Sequence, residues 1–258
     1  MSMGFIVMYE TQIRVVATKR SGHHAIMDWV AAQFQNNTVS FFNDIKAGSN
    51  CDKDTADQLP HLEPKVGGDI AMYSYEDVTP EQLFNGNFKL KLPNSPRKIT
   101  LIVLRDPLNT FASRWKLERK AHWLRPRIGH PPEQQDYIDI WMRLYKDFSR
   151  ESYFLELNGH KVIPINYNKW STNENYRVQI SKQLPGSTFT DKTICTVPRY
   201  GWGSSFDALE LEGDARSMDV HNRYKEMMDI PLFNKIIDTN PQLVDIAREH
   251  FDIQYETN

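Results

Sequence analysis

Short apolar runs separated by polar turns recur along most of the chain. Runs of this length that are rich in Val, Ile and aromatic residues are typical of β-strands. They predict strands over residues 13–17, 39–42, 70–75, 99–104 and 162–165. The run at 99–104 is almost entirely apolar, which indicates a central parallel strand covered on both faces. Pro164 removes a donor from the last run, which favours an edge or irregular position.

Apolar residues at helical spacing fill the intervals between these strands. Two helix starts carry cap signals, Thr79 before Pro80 and Asp106 before Pro107. Further helices are predicted at 138–148, 175–184, 215–228, 231–237 and 243–251, and the segments 43–68 and 196–214 are predicted to be loops. Because strands and helices alternate without an internal repeat, we expect one α/β domain over residues 1–258. Its central sheet should be mainly parallel and flanked by helices.

Composition narrows the classes of function. The 258 residues carry a formal net charge of −2, which argues against bulk nucleic-acid binding and makes any anion site a local feature. The cysteines are Cys51 and Cys195, too few for a disulfide framework or a cysteine-built metal site. The apolar stretch 4–8 is too short for a signal peptide or a membrane span. We therefore expect a cytoplasmic protein that binds neither nucleic acid nor membrane.

The stretch 11–35 joins the first strand to a basic turn and an amphipathic helix. The turn reads Lys19-Arg20-Ser21-Gly22-His23-His24. A strand, tight turn and helix in this order direct backbone N–H groups and the positive end of the helix dipole at one point, which suits a phosphate or sulfate group. A purely structural turn is an equal alternative on this stretch alone. The nucleoside-triphosphate pattern is absent, because Lys19 precedes the glycine.

A second candidate anion site follows the strand at 99–104. Arg105 stands at the carboxyl end of this strand, where open α/β sheets bind ligands, and Ser113 lies two turns into the next helix. The segment 114–132 is strongly basic. It indicates either a solvated helix end or a cover over an anionic ligand.

Together these stretches resemble the cytosolic and Golgi sulfotransferase superfamily, whose donor is 3′-phosphoadenosine 5′-phosphosulfate (PAPS). The turn at 19–24 resembles the family's 5′-phosphosulfate loop, although two histidines stand where hydroxyl residues are usual. Residues 104–114 resemble its 3′-phosphate motif, with arginine and serine in the same relative places. The strand before Tyr167 resembles the one whose tyrosine lies near the adenine. Arg199-Tyr200-Gly201 resembles more loosely the family's loop over the donor, without its Gly-Asp-Trp ending.

The resemblance implies a P-loop NTPase-like sulfotransferase fold. It also implies sulfuryl transfer to a hydroxyl or amine of a small-molecule or carbohydrate acceptor, with adenosine 3′,5′-bisphosphate (PAP) as product. It implies no metal, and the protein would be a monomer or homodimer. Arg20 would stabilise charge on the leaving phosphate, and Arg105 would pair with the 3′-phosphate. The implied donor-binding residues are Lys19, Arg20, Ser21, Gly22, His23, His24, Arg105, Ser113, Tyr167, Arg199, Tyr200 and Gly201.

The acceptor also needs a general base. The family places a His or a Glu near the end of a strand beside the donor sulfate, and Glu76 is the best positional match. His23 or His24 could serve instead, because imidazole titrates near neutrality and both flank the turn. The catalytic candidates are therefore Glu76, Arg20 and His24.

Two other classes of function are open at this point. A nucleotide or small-molecule kinase of the phosphate-loop class would bind anions at the same turn, but the missing lysine and the lack of a clear Asp for Mg²⁺ count against it. A non-catalytic nucleotide-binding protein would bind PAP and transfer no sulfate. The acceptor is undefined, because the basic segment 114–127 suits an anionic or carbohydrate acceptor and the acidic run at 207–214 suits a cationic one.

Overall fold

The computed structural model describes residues 9–45, 69–84, 95–120, 134–198, 203, 206–207 and 210–255. Five strands in these ranges are β1 Thr11–Ala17, β2 Val39–Phe42, β3 Ile70–Glu76, β4 Arg97–Leu104 and β5 Lys161–Asn166. They form one sheet in the order β2-β3-β1-β4-β5, and every neighbouring pair is parallel. The predicted strands and the parallel α/β class are confirmed, and β5 lies at an edge as Pro164 indicates.

Helices cover both faces of this sheet. They are α1 His23–Ala32, α2 Pro80–Phe84, α3 Pro107–Lys120, α4 Gln134–Phe148, α5 Phe154–Leu157, α6 Tyr167–Thr172, α7 Glu174–Ser181, α8 Pro231–Thr239 and α9 Gln242–Phe251. Successive strand residues face opposite sides, so Val16 packs into a core with α3, α4 and α9, whereas Val15 and Ala17 pack into a second core with α1 and α7. Burial on both faces explains why the strands are so apolar.

The carboxyl ends of the strands meet at one edge of the sheet. β1 lies between β3 and β4, with Ala17 in register with Glu76 on one side and Val103 on the other. The chain runs from β1 to the β2–β3 side of the sheet and then crosses to β4. Such a switch point is where open α/β sheets bind ligands. The fold therefore places the turn after β1 beside Glu76 and Arg105.

The two predicted helix starts have the expected caps. Gln82 N–H lies 3.4 Å from Thr79 Oγ1, and Thr79 N–H donates to Gln82 Oε1 at 2.8 Å, which is a reciprocal capping box. Asp106 Oδ1 accepts from Asn109 N–H at 2.8 Å at the start of α3. These local hydrogen bonds anchor the helices that follow β3 and β4.

The helix predicted over 215–228 is wrong. The structure has two short 3-10 turns there, Ala215–Ser217 and Arg223–Met227. The backbone at the start of the second turn bonds to α3: Asn109 Nδ2 donates to the carbonyl of His221 at 2.9 Å, and Tyr224 N–H donates to Asn109 Oδ1 at 3.1 Å. Tertiary hydrogen bonds therefore override the helical spacing of the apolar residues.

Part of the predicted organisation lies beyond the described residues. Most of the 43–68 loop and much of the 196–214 loop fall outside them, so the single domain over 1–258 stays a prediction. No helix among the described residues combines the length and apolar character needed to cross a bilayer.

Candidate functional site

The turn between β1 and α1 contains two residues in the left-handed region, Arg20 with φ 68° and Gly22 with φ 80°. A Cβ on Gly22 would lie 2.2 Å from Cε2 of Tyr167, so only glycine fits here. Gly22 is the N-cap of α1, and its carbonyl accepts from Ala25 N–H at 3.1 Å. Apart from such a bond, the first N–H groups of a helix lack carbonyls four residues back, so α1 presents donors and the positive end of its dipole at this turn.

Tyr167, the first residue of α6, contacts both candidate anion sites. Its ring packs against Gly22, and its centroid lies 5.6 Å from Cζ of Arg105. A guanidinium beside an aromatic ring forms a favourable cation–π contact. The two motifs, which are far apart in the sequence, therefore meet at one aromatic side chain.

Arg105 is buried at the carboxyl end of β4. One terminal nitrogen donates to Ser113 Oγ at 3.1 Å, and the other donates to the carbonyl of Val220. Its Nε is buried and has no hydrogen-bond partner among the described residues. The predicted position of Ser113 in α3 thus brings its hydroxyl to the guanidinium of Arg105. That the two residues bind the sulfate donor stays a prediction.

Buried arginine charges accumulate around this edge of the sheet. Burial, followed by the nearby charge of Arg223, lowers the pKa of Arg20 and that of Arg105 to about 10. Arg20 donates to the carbonyl of Gly203 at 2.9 Å, and neither Arg20 nor Arg105 has a carboxylate partner among the described residues. Buried like charges destabilise one another, and the nearby acids Glu76 and Asp106 offset this only in part, so a polyanion would be favoured between the arginines.

Arg223 was missed by sequence reasoning. It lies in the segment predicted as a regular helix, beyond the stretches that resemble the sulfotransferases, and no motif marks it. Its buried guanidinium pairs with Asp207 at 2.9 Å and lies 4.9 Å from the ring centroid of Phe206. Its effect on Arg20 and Arg105 places its charge near both predicted anion sites.

Glu76 ends β3 and faces the histidines of the turn. Its Oε1 lies 2.9 Å from Nε2 of His23 and 3.3 Å from Nε2 of His24, and its Oε2 lies 3.9 Å from Nζ of Lys19. Burial alone would raise the pKa of Glu76, but the two histidines and Lys19 outweigh it and hold that pKa well below its usual range. Burial and the neighbouring His23 lower the pKa of His24 to about 3, so His24 is neutral at pH 7. The structure thus brings together all three candidates for the base.

The same three side chains have ligand atoms within 4.8 Å of one another and could be read as a metal site. Glu76 Oε1, however, already faces the Nε2 atoms of both histidines at hydrogen-bond distance. Lys19 and the positive end of the α1 dipole add charge that disfavours a divalent cation. The three side chains and Lys19 therefore fit a cluster of ion pairs better than a metal centre.

A second acid, Asp77, ties the turn to α3. Its Oδ1 accepts from the backbone N–H of Lys19 at 3.0 Å. Arg114 donates to its two oxygens at 2.6 and 3.1 Å, and the Arg114 guanidinium also lies 3.3 Å from the ring centroid of Tyr137. Asp77 therefore fixes the position of the turn relative to the helix that carries Ser113.

Three of the predicted site residues, Arg199, Tyr200 and Gly201, lie outside the described residues, as does the basic segment from residue 121 to 133. Ser21 is buried, and its Oγ lies 3.3 Å from Nδ1 of His23. The roles of these residues stay predictions.

No protein-family model and no curated protein matches the sequence. Among solved structures, the chain is similar to the crystal structure of mouse sulfotransferase SULT7A1 complexed with PAP. The TM-score is 0.47 and the identity is 13%, over 93% of this chain and 86% of the other.

Proposed function

We propose that this protein is a sulfotransferase that moves a sulfuryl group from PAPS to a hydroxyl or amine of a small-molecule or carbohydrate acceptor. The observation that carries the proposal is the meeting of two anion-binding motifs, the Gly22 turn and Arg105, at the ring of Tyr167. A ligand that binds to both motifs needs two anionic groups on the same molecule. A nucleotide with a 5′-phosphosulfate and a 3′-phosphate meets this requirement.

The buried arginines supply the positive charge for such a donor. Backbone N–H groups of the first turn of α1 would hold the 5′-phosphate, and Arg105 with Ser113 would hold the 3′-phosphate. Arg223 is added to this set because its charge acts on Arg20 and on Arg105. These charges repel one another, and a bound donor would relieve the repulsion.

The transfer itself is a displacement at sulfur. The acceptor oxygen or nitrogen bonds to sulfur while the bond between sulfur and the bridging oxygen breaks, and the acceptor loses a proton to a base. Negative charge builds on the bridging oxygen and the leaving phosphate of PAP, where Arg20 would stabilise it. As in phosphoryl transfer, positioning and electrostatic stabilisation supply most of the rate.

Titration calorimetry with PAP tests the donor site. We expect the wild type to bind PAP and Arg105→Ala to weaken binding at least about tenfold, because a charge-assisted hydrogen bond contributes about 1.5–3 kcal/mol. Arg97→Ala is the matched control, since Arg97 pairs with Glu10 on the surface and its side chain is 49% exposed. Equal affinities for the Arg105 and Arg97 variants would overturn the assignment.

Two further assays separate this activity from its alternatives. PAPS and PAP should raise the melting temperature, whereas ATP with Mg²⁺ should not, because no lysine follows Gly22 in the turn. Transfer of ³⁵S from PAPS across a broad acceptor panel should then label at least one class of acceptor. Binding of PAP without any transfer would indicate a non-catalytic nucleotide-binding protein.

A further inference from the structure

The side chain of Asn109, in the first turn of α3, binds the backbone of a segment that is distant in the sequence. Its Nδ2 donates to the carbonyl of His221 at 2.9 Å, and its Oδ1 accepts from the N–H of Tyr224 at 3.1 Å. Asn109 is fully buried. One buried amide therefore fixes the backbone on both sides of residues 222 and 223.

The segment 220–224 brings two polar groups towards Arg105. The carbonyl of Val220 accepts from one terminal nitrogen of Arg105. Arg223 is buried, and after burial itself its charge is the largest cause of the lowered pKa of Arg105. The position of this segment therefore determines which groups lie beside the guanidinium that would bind the 3′-phosphate.

Asp106 fixes the orientation of the Asn109 amide. Its Oδ1 accepts from the backbone N–H of Asn109 at 2.8 Å and from Asn109 Nδ2 at 3.0 Å. An ionised carboxylate and a carbonyl only accept, whereas a backbone N–H only donates. The NH₂ group of Asn109 must therefore face Asp106 and His221, and its oxygen must face Tyr224. The three neighbours allow one orientation of the side chain.

Amide groups also occupy both oxygens of Asp106, which follows Arg105 directly in the chain. Asn168 Nδ2 donates to Asp106 Oδ2 at 3.0 Å, and Asn109 Nδ2 lies 3.1 Å from the same oxygen. The terminal nitrogens of Arg105 bond to neutral groups instead, and its Nε has no hydrogen-bond partner among the residues that the structure describes. Asp106 thus supplies a nearby negative charge while the guanidinium stays available to an anion.

A second contact holds the segment 220–224 from the side of α6. Ser171 Oγ donates to the carbonyl of Asn168 at 2.9 Å. The hydroxyl hydrogen is then used, so Nε2–H of His221 is the donor in the 3.1 Å contact with Ser171 Oγ. Because α6 also carries Tyr167, the two helices that contact Arg105 hold the same segment.

We infer that Asn109 is a positioning residue that gives the donor site its preference for nucleotides with a 3′-phosphate. The inference rests on the proposed function. By holding the segment 220–224, Asn109 keeps the charge of Arg223 near Arg105, so that both charges act on the 3′-phosphate. Two guanidinium groups attract a doubly charged phosphate more strongly than one. A nucleotide with a 5′-phosphate alone gains much less from this pair.

The affinities of PAP and adenosine 5′-phosphate test the inference. These nucleotides share the adenosine and the 5′-phosphate, so a general disturbance of the site would weaken both alike. In titration calorimetry we expect Asn109→Ala to weaken binding of PAP about tenfold and binding of adenosine 5′-phosphate less than about threefold, because the lost interaction is with the 3′-phosphate. Losses in the same proportion for the two nucleotides would overturn the inference.

Asn240→Ala is the matched control. Asn240 is also buried, and its Nδ2 donates to the carbonyl of Ile236 at 2.9 Å at the end of α8. Its loss should leave both affinities unchanged. Ser171→Ala tests the same segment while the bonds of Asn109 remain, and it covers the case in which Asn109→Ala fails to fold. We expect it to weaken PAP about twofold to fivefold, and an unchanged ratio of the two affinities would overturn the inference.

A double-mutant cycle with Arg223→Ala separates a positioning role from a merely structural one. In the Arg223→Ala background, Asn109→Ala should change PAP affinity less than about threefold, because the charge that Asn109 positions is gone. Additive losses would contradict the positioning role. A wild type that fails to bind PAP would instead overturn the proposed function, so the two failures are distinguishable.

Discussion

The two ends of the candidate site are built from different chemistry. At the turn after β1, cations lie beside acids: Lys19 faces Glu76, and Arg114 is paired with Asp77. At the end of β4, Arg105 has a hydroxyl and a backbone carbonyl as its partners. A mixed set of acids, imidazoles and cations can move a proton, whereas an arginine held by neutral groups can only bind an anion. Chemistry and anchoring should therefore be separable by mutation.

Arg20→Ala should give the largest effect on turnover. We expect kcat to fall about 10²–10³-fold, as on removal of a group that stabilises developing charge, while the KM for PAPS changes much less. Arg105→Ala should do the reverse, raising the KM for PAPS with a smaller change in kcat. Initial rates over a range of PAPS concentrations measure both parameters.

If the two variants change kcat and KM in the same proportion, the distinction between a reacting end and an anchoring end is wrong. Arg248→Ala serves as the control, because Arg248 is half exposed on α9 and pairs along that helix with Asp245 at 3.6 Å. Its kinetics should match the wild type.

Gly22→Ala should have the largest effect on stability. The new Cβ would meet the Tyr167 ring at 2.2 Å and would occupy φ +80°, so we expect a loss of about 3 kcal/mol in the free energy of unfolding. Gly159→Ala is the matched control, since Gly159 has φ +78° but open space around it, and should lose only about 1 kcal/mol. Urea unfolding measures both values, and equal losses would mean that Tyr167 does not constrain the turn.

Asp77→Asn tests how strongly the acid at the turn after β1 holds this turn to α3. Arg114 would lose a charged partner while its side chain stays 7% exposed, so we expect a loss of about 2 kcal/mol in unfolding free energy. Asp207→Asn, which removes the charged partner of Arg223, should lose less than about 1 kcal/mol because Asp207 is 30% exposed. Thermal unfolding of both variants at one pH measures the two losses. A larger loss for Asp207→Asn than for Asp77→Asn would show that Asp77 does not hold the turn to α3.

The strands and the positions of the two candidate anion sites could be predicted because their signals are local. Each strand is a short apolar run between polar turns, and a parallel sheet buries such runs on both faces. The turn at 19–24 and the pair Arg105 and Ser113 follow directly from the ends of β1 and β4. Since parallel strands align their carboxyl ends, predicting the sheet also brings these residues to one edge.

The remaining features depend on contacts between distant segments. Arg223 and Val220 reach the site because Asn109 of α3 binds the backbone of that segment, and hydrogen bonds of this kind leave no periodic pattern in the sequence. Asn43 reaches His24 only because β2 and β3 are neighbours. The same hydrogen bonds explain the wrong helix at 215–228, since apolar spacing alone favours a regular helix there.

The ring of Tyr167 also lies beside an indole, with 5.8 Å between its centroid and that of Trp170. Trp170 is buried and packs edge-on against Trp29 at 6.1 Å. A ligand that displaces the tyrosine ring changes the surroundings of this indole, whose emission depends on its neighbours. The fold thus contains an intrinsic fluorophore next to the site, and comparing the native chain with Trp170→Phe would follow occupancy in solution without a label.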